Sequence, residues 1–236
     1  MTDYELAKFS AAAYFVPEAL GEWAAAIGYE AAGVSVQHTG AALFWNADDL
    51  VVSFTGSNDG FDWFENLDFR KTAGPLGSVH AGFNRAFTRI RGDLFRVIGR
   101  HRRAGQNLWV TGHSLGGALA TLCGAWIAES GASYQLARVT TFGSPRLMGW
   151  NAAKKYDAVL RSRTMRYVNE GDPVPHVPGP WRFKHVGQLA WLRDGQVERR
   201  IPLLDLLFGW WRGRKTDQPG LDHPIEAYLR RLAATA

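Results

Sequence analysis

Cysteine is nearly absent. Cys123 stands alone among 236 residues, so no internal disulfide is available. The chain must hold itself together by burial, and its 46% of apolar residues suffices at this length for a core without bridges or metals. Long apolar runs are also missing. The stretch from Phe9 to Val16 stops at Pro17, and nothing approaches the roughly 20 residues of a membrane span. Met1-Thr2-Asp3-Tyr4-Glu5 is acidic where a secretory leader is basic, so the expected compartment is the cytoplasm, or the exterior if a leader was removed. No repeat, linker or low-complexity tract interrupts the sequence, which excludes collagen-like and disordered classes and predicts one domain over residues 1–236.

Charge and aromatic residues are present in more telling amounts. The formal net charge is +5, with 27 Lys and Arg against 22 Asp and Glu. The basic clusters Arg100-His101-Arg102-Arg103 and Arg199-Arg200 read as solvated helix or loop faces, and no nucleic-acid-binding motif accompanies them. No nucleic-acid partner is expected. Ten tryptophans are an excess that suits cores, ligand pockets and lipid interfaces.

Apolar periodicity predicts a helix over 4–15, strands at 34–38, 42–45 and 50–55, and an amphipathic helix over 82–100, where Phe83, Phe87, Ile90, Leu94 and Val97 recur at spacings of three and four. A strand at 108–110, a helix at 115–129, a strand at 139–142, a helix near 150–158 and a strand at 164–169 follow. Residues 183–198 read as two short strands around Asp194-Gly195, and 223–233 as a terminal helix. The alternation in the middle predicts an α/β fold, a mostly parallel central sheet with helices on both faces. Sites in such sheets lie at the carboxyl ends of the strands.

Gly112-His113-Ser114-Leu115-Gly116 is G-x-S-x-G between a predicted strand and a predicted helix. A serine on so sharp a turn presents its hydroxyl at the end of the sheet, and the close passage of the chain requires glycine two positions before and two after. Ser114 is therefore the candidate nucleophile, expected to be exposed. A serine hydroxyl needs a histidine to take its proton. His176, His185 and His223 follow it in the chain. His176 lies between two Val-Pro pairs and reads as a packed turn residue. His185 falls in a strand pattern. His223 lies in a polar loop before the last helix, where an imidazole is reachable. For the acid, Asp172 follows the strand ending at Asn169 and precedes Pro173, which confines it to extended backbone; Asp222 is the rival, read as a support for the loop. Oxyanion donors are the Leu115 N–H and, from the turn Phe54-Thr55-Gly56-Ser57, the N–H and hydroxyl of Ser57.

Together these segments resemble the fungal-type class 3 lipase family of α/β-hydrolases. Phe54-Thr55-Gly56-Ser57 is similar to its F-R-G-[ST] oxyanion loop, with Thr55 where the family usually has arginine. Val79-His80-Ala81-Gly82-Phe83 matches V-H-x-G-F, and Thr141-Phe142-Gly143-Ser144-Pro145-Arg146 matches T-F-G-x-P-R. Val168-Asn169-Glu170-Gly171-Asp172-Pro173 is similar to the acid loop, and Asp222-His223 with Tyr228 to the D-H-x₄-Y segment. The resemblance implies Ser114, Asp172 and His223 as the triad and Ser57 with Leu115 as the oxyanion hole. His80 and His113 read as structural.

The resemblance implies a serine carboxylester hydrolase acting on acylglycerols through an acyl-enzyme, with no metal or organic cofactor. Short-chain carboxylesterase and phospholipase A are the rivals, and a lipid-binding protein with an idle triad is the non-enzymatic one. The expected partner is a lipid or ester substrate, with transient contact to a lipid surface. Residues 58–69 are the candidate lid. Leu203 to Lys215, with Trp210-Trp211 beside basic residues, is a second candidate for the lipid surface or for the core.

Overall fold

The computed structural model describes residues 1–56, 69–131, 134–193, 196–199 and 222–235. The lid candidate, except Phe69, and the Leu203–Lys215 candidate lie outside the described residues, as does Ser57.

The chain opens with α1 (Asp3–Ala12) and α2 (Pro17–Ala26). In α1, Thr2 and Glu5 form a reciprocal capping box that satisfies two otherwise orphaned amides. The first helix, expected over 4–15, ends at Ala12, and Pro17 begins the second: at the first helical position its missing N–H costs nothing and its fixed φ suits the helix. The antiparallel run β1 (Glu30–Val36), β2 (Thr39–Trp45) and β3 (Asp49–Phe54) follows. A small hairpin of β4 (Lys71–Gly74) and β5 (Gly77–His80), too short to carry a period, leads into α3 (Ala81–His101). Then come β6 (Asn107–His113), α4 (Leu115–Ser130), β7 (Leu136–Phe142), α5 (Trp150–Leu160) and β8 (Thr164–Asn169). The antiparallel pair β9 (Gln188–Arg193) and β10 (Gln196–Glu198) precedes α6 (Ile225–Ala233).

The main sheet runs β1-β2-β3-β6-β7-β8-β9-β10. Its centre, β3 to β9, is parallel and its flanks are antiparallel. Alternate strand residues face opposite layers. Leu43, Leu50 and Val52 pack with Phe87, Ile90 and Leu94 of α3 and with α4 and α5. Ala42, Phe44 and Val51 pack with Leu6 and Phe9 of α1, Leu20 of α2, and Tyr228 and Leu232 of α6. This is the doubly covered α/β-hydrolase architecture expected from the alternating pattern. Residues 183–187, expected to be strand, make only an isolated bridge between Met148 and Lys184, and His185 lies ahead of β9 rather than in a strand. Among the described residues no helix is long and apolar enough to cross a membrane.

Candidate active site

Ser114 joins β6 to α4 with φ 58° and ψ −126°. A positive φ on a side-chain-bearing residue costs on the order of 1–3 kcal/mol and persists only where the surroundings enforce it. Here the Ser114 N–H donates to the Phe142 carbonyl at 2.9 Å, and its own carbonyl accepts from the Gly117 N–H at 3.0 Å. A Cβ on Gly112 would stand 2.3 Å from the Gly116 carbonyl oxygen, and one on Gly116 would stand 2.2 Å from that of Phe54. The spacing of the two glycines is thus set by backbone approach on both sides of the serine. The Leu115 N–H opens α4 beside Ser114, where the amides of the first helical turn favour negative charge.

His223 reaches Ser114 from the loop ahead of α6. Its Nε2 lies 2.9 Å from Ser114 Oγ, and its Nδ1 lies 3.0 Å from each oxygen of Asp172. The carboxylate can only accept, so it fixes the proton on Nδ1 and leaves Nε2 to accept the serine O–H. Asp172 follows β8 and is held from two further sides. Its Oδ1 accepts from the Val174 N–H at 2.9 Å, and its Oδ2 accepts from the Tyr228 hydroxyl at 2.6 Å. The Tyr228 oxygen accepts in turn from the Asn169 N–H at 3.1 Å. Asp222, the rival acid, instead pairs with Arg231 at 2.8 Å, and its carbonyl accepts from Asn169 Nδ2 at 2.7 Å. It braces the loop that presents His223.

The expectation of an exposed serine is corrected: Ser114 is 3% accessible, beside Asp172 at 1% and His223 at 8%. Low accessibility strengthens each hydrogen bond of the relay by excluding competing water. The other two candidate histidines stay away from Ser114. His176 closes a short 3-10 turn, Val174–His176, and the His185 Nε2 donates to the Pro175 carbonyl at 2.7 Å.

A second histidine supports the first. His113 Nε2 donates to the His223 carbonyl at 2.6 Å, and its Nδ1 accepts from the Tyr14 hydroxyl at 3.0 Å. The Tyr14 oxygen accepts from the Gly56 N–H at 3.1 Å. Burial, and then the neighbouring His223, push His113 down to about 3, so it stays neutral in this role at ordinary pH. Thr55, which replaces the usual arginine, donates from its hydroxyl to the Ala13 carbonyl at 3.1 Å. The turn leading to Ser57 is thereby tied to the end of α1 and, through Tyr14 and His113, to the backbone of His223.

Three contributors were not assigned a role from sequence. Tyr228 had a signal, its spacing from His223. Tyr14, with Ala13, is similar to the end of the family's N-terminal helix, but nothing local pointed to its partners, which lie 42 and 99 residues away. Gly143 has φ 60°, and a Cβ there would stand 2.7 Å from Asp172 Oδ2 and 3.2 Å from the His223 ring. The glycine that ends β7 leaves room for the acid and base to meet.

Comparison with known proteins gives concordant matches. The model of the family described as Lipase (class 3) matches residues 51–181. The secreted mono- and diacylglycerol lipase 1 of Fusarium solani is 29% identical over 157 residues, 64% of this chain and 46% of that protein. The lipase of Rhizomucor miehei is 32% identical over 157 residues, 63% of this chain and 43% of its own length. The native propeptide complex of Rhizomucor miehei lipase superposes with a TM-score of 0.70 at 25% identity, covering 84% of this chain and 70% of that one. The chain spans about half the length of the curated relatives it matches.

Proposed function

The chain belongs to the class 3 lipase family, and from that premise we propose that it is a serine carboxylester hydrolase cleaving acylglycerols. The observation that carries the reading is the continuous relay from Ser114 Oγ through His223 to Asp172, at 2.9 and 3.0 Å. Ser114 attacks the ester carbonyl while His223 Nε2 takes its proton. Asp172 holds the ring tautomer and stabilises the imidazolium that forms. The oxyanion is stabilised by the Leu115 N–H and by Ser57, the residue after the tethered Gly56. His223 then returns the proton to the leaving alcohol, and water deacylates Ser114 by the same route. Every step uses groups of the chain alone, and residues 1–236 act as one catalytic unit.

An acylglycerol substrate is supported by the names of the relatives. Contact with a lipid surface is supported by the exposed rings of Trp150 and Trp181, with the Lys184 ammonium 3.5 Å over Trp150. Aromatic rings with an adjacent cation suit the headgroup region of a bilayer. With one buried cysteine, the fold needs neither an oxidising nor a reducing compartment.

The test is hydrolysis of p-nitrophenyl esters from acetyl to palmitoyl, wild type beside Ser114→Ala. The expected result is turnover by wild type with a long-chain optimum, and a loss on the order of 10⁴-fold or more in the variant. An acetyl optimum would make the protein a short-chain esterase. Equal activity in both proteins sinks Ser114 as nucleophile. Binding of lipid without turnover of any ester replaces the hydrolase by a lipid-binding protein.

A further inference from the structure

A second group of polar side chains lies behind the loop that follows Asp172. Arg146 comes after β7, Arg166 stands on β8, His176 ends the 3-10 turn, and His185 precedes β9. They line a cavity of about 120 Å³, walled by Val168 and Leu189. All four polar residues are half-buried, so the cavity is both enclosed and reachable.

The group is unevenly satisfied. Arg146 donates to the carbonyls of His176 and Pro178, and His185 to that of Pro175. The Arg166 Nε is fully buried and has no hydrogen-bond partner among the described residues. The carboxylates whose fields reach the group are committed elsewhere. Asp172 serves His223 and Tyr228, while Asp157 pairs with Arg161 at 2.8 Å and accepts from the Gly187 N–H at 2.7 Å. Burial lowers Arg166 to about 9 and Arg146 to about 10, which leaves both charged at neutral pH. Burial first, with the Arg146 charge adding to it, holds His176 down to about 4, and His185 lies well below its usual value. The cavity therefore carries two positive charges and two neutral rings, and no carboxylate lines it among the described residues. A buried cation without a counter-charge is costly, and an anion that neutralises it is bound in proportion.

We propose that this cavity binds a tetrahedral oxyanion of the phosphate class, held by the guanidiniums of Arg166 and Arg146. Two charges match a doubly ionised phosphate, and the planar guanidinium fork fits its oxygens. The volume accommodates one such group with a water or two, at about 30 Å³ per water. Inorganic phosphate and a glycerol phosphate monoester share this chemistry. The site is independent of the ester hydrolysis proposed above, because none of its lining residues belongs to the relay.

The experiment is thermal unfolding at neutral pH in millimolar inorganic phosphate, glycerol 3-phosphate or acetate, each against sodium chloride at the same ionic strength. Wild type is expected to gain about 3 °C when phosphate is tenfold above its Kd. Arg166→Met removes the cation whose Nε has no acceptor among the described residues, and Leu189→Phe fills the cavity while keeping both arginines; each is expected to abolish the gain. A rise with inorganic phosphate alone identifies the free ion as ligand, and a larger rise with glycerol 3-phosphate identifies the monoester. The proposal is overturned by no gain over chloride, by an equal gain in either variant, or by acetate matching phosphate. Should both variants fail to fold, calorimetric titration of wild type with inorganic phosphate decides: one saturable site supports the proposal, and its absence overturns it.

Discussion

The Ser114 relay and the Arg166 cavity lie on two sides of one loop, residues 172–176, and they treat buried polarity in opposite ways. In the relay each carboxylate oxygen, each ring nitrogen and the serine hydroxyl have partners within 3.0 Å. Among the described residues the cavity brings two guanidiniums together without a carboxylate, and one buried nitrogen has no acceptor. A satisfied network fixes geometry, because moving any member leaves a partner unpaired. An unsatisfied one fixes a demand, because the stranded charge is relieved only by something from outside. The first arrangement suits chemistry performed on a visitor; the second suits holding one.

The contrast is broken most severely at the relay. Asp172→Asn frees the imidazole tautomer, and kcat on a p-nitrophenyl ester is expected to fall on the order of 10³–10⁴-fold with the urea midpoint little changed. A loss under tenfold would remove Asp172 from the relay. Gly143→Ala places a methyl group 2.7 Å from Asp172 Oδ2. Misplacing the acid and base by even part of an ångström is expected to cost about 10²-fold in kcat. Wild-type kcat in that variant would show that the acid and base tolerate the shift.

Tyr228→Phe is a milder break. Asp172 loses one donor and the Asn169 N–H loses its acceptor. The expected cost is about 1–3 kcal/mol of stability together with roughly tenfold in kcat. Unchanged values for both would mean that water replaces the hydroxyl.

Titration sharpens the comparison further. His113 at about 3, His176 at about 4 and His185 well below its usual value all bind protons more weakly folded than unfolded, where histidine titrates near 6.5. Between about pH 6.5 and pH 4 the unfolded chain holds the extra protons, so stability is full above that window and drains as pH falls through it. Each histidine contributes up to about 1.4 kcal/mol per pH unit inside the window. Urea midpoints at pH 7 and pH 5 check this, with His113→Gln expected to flatten the slope by one proton's worth. A midpoint indifferent to pH across that interval excludes three rings held neutral by the fold.

Much of this was legible in the chain. The period of three and four over α3 and the alternation through β6, α4, β7, α5 and β8 need only local burial patterns, and their observed bounds differ from the expected ones by a few residues. The elements that were missed lack such a pattern. The β4–β5 hairpin has four residues per strand, and α2 begins at a proline, a residue that reads as a stop rather than a start. Around the site, Tyr228 was visible as a spacing. The roles of Tyr14, Gly143 and His113 were not, because each acts on a neighbour distant in sequence.

By itself the sequence determined the turn at Ser114. Two glycines at fixed distances are required by backbone contacts within a few residues, and such contacts can be read without a fold. The sequence also singled out His223 and Asp172, by loop position and family resemblance; the tertiary structure shows how far-apart residues come within reach of that serine. His223 is 109 residues from Ser114 and 51 from Asp172, separations that no local pattern spans. Parallel β6, β7 and β8 bring their carboxyl ends to one edge of the sheet, with Ser114, Gly143 and Asp172 just beyond them, and α6 packs so that the loop before it reaches the same edge. The buried cationic cavity was decided at the same level. Arg146 and Arg166 are ordinary basic residues along the chain, and line one cavity with no carboxylate among the described residues only when the sheet and the 172–176 loop close around them.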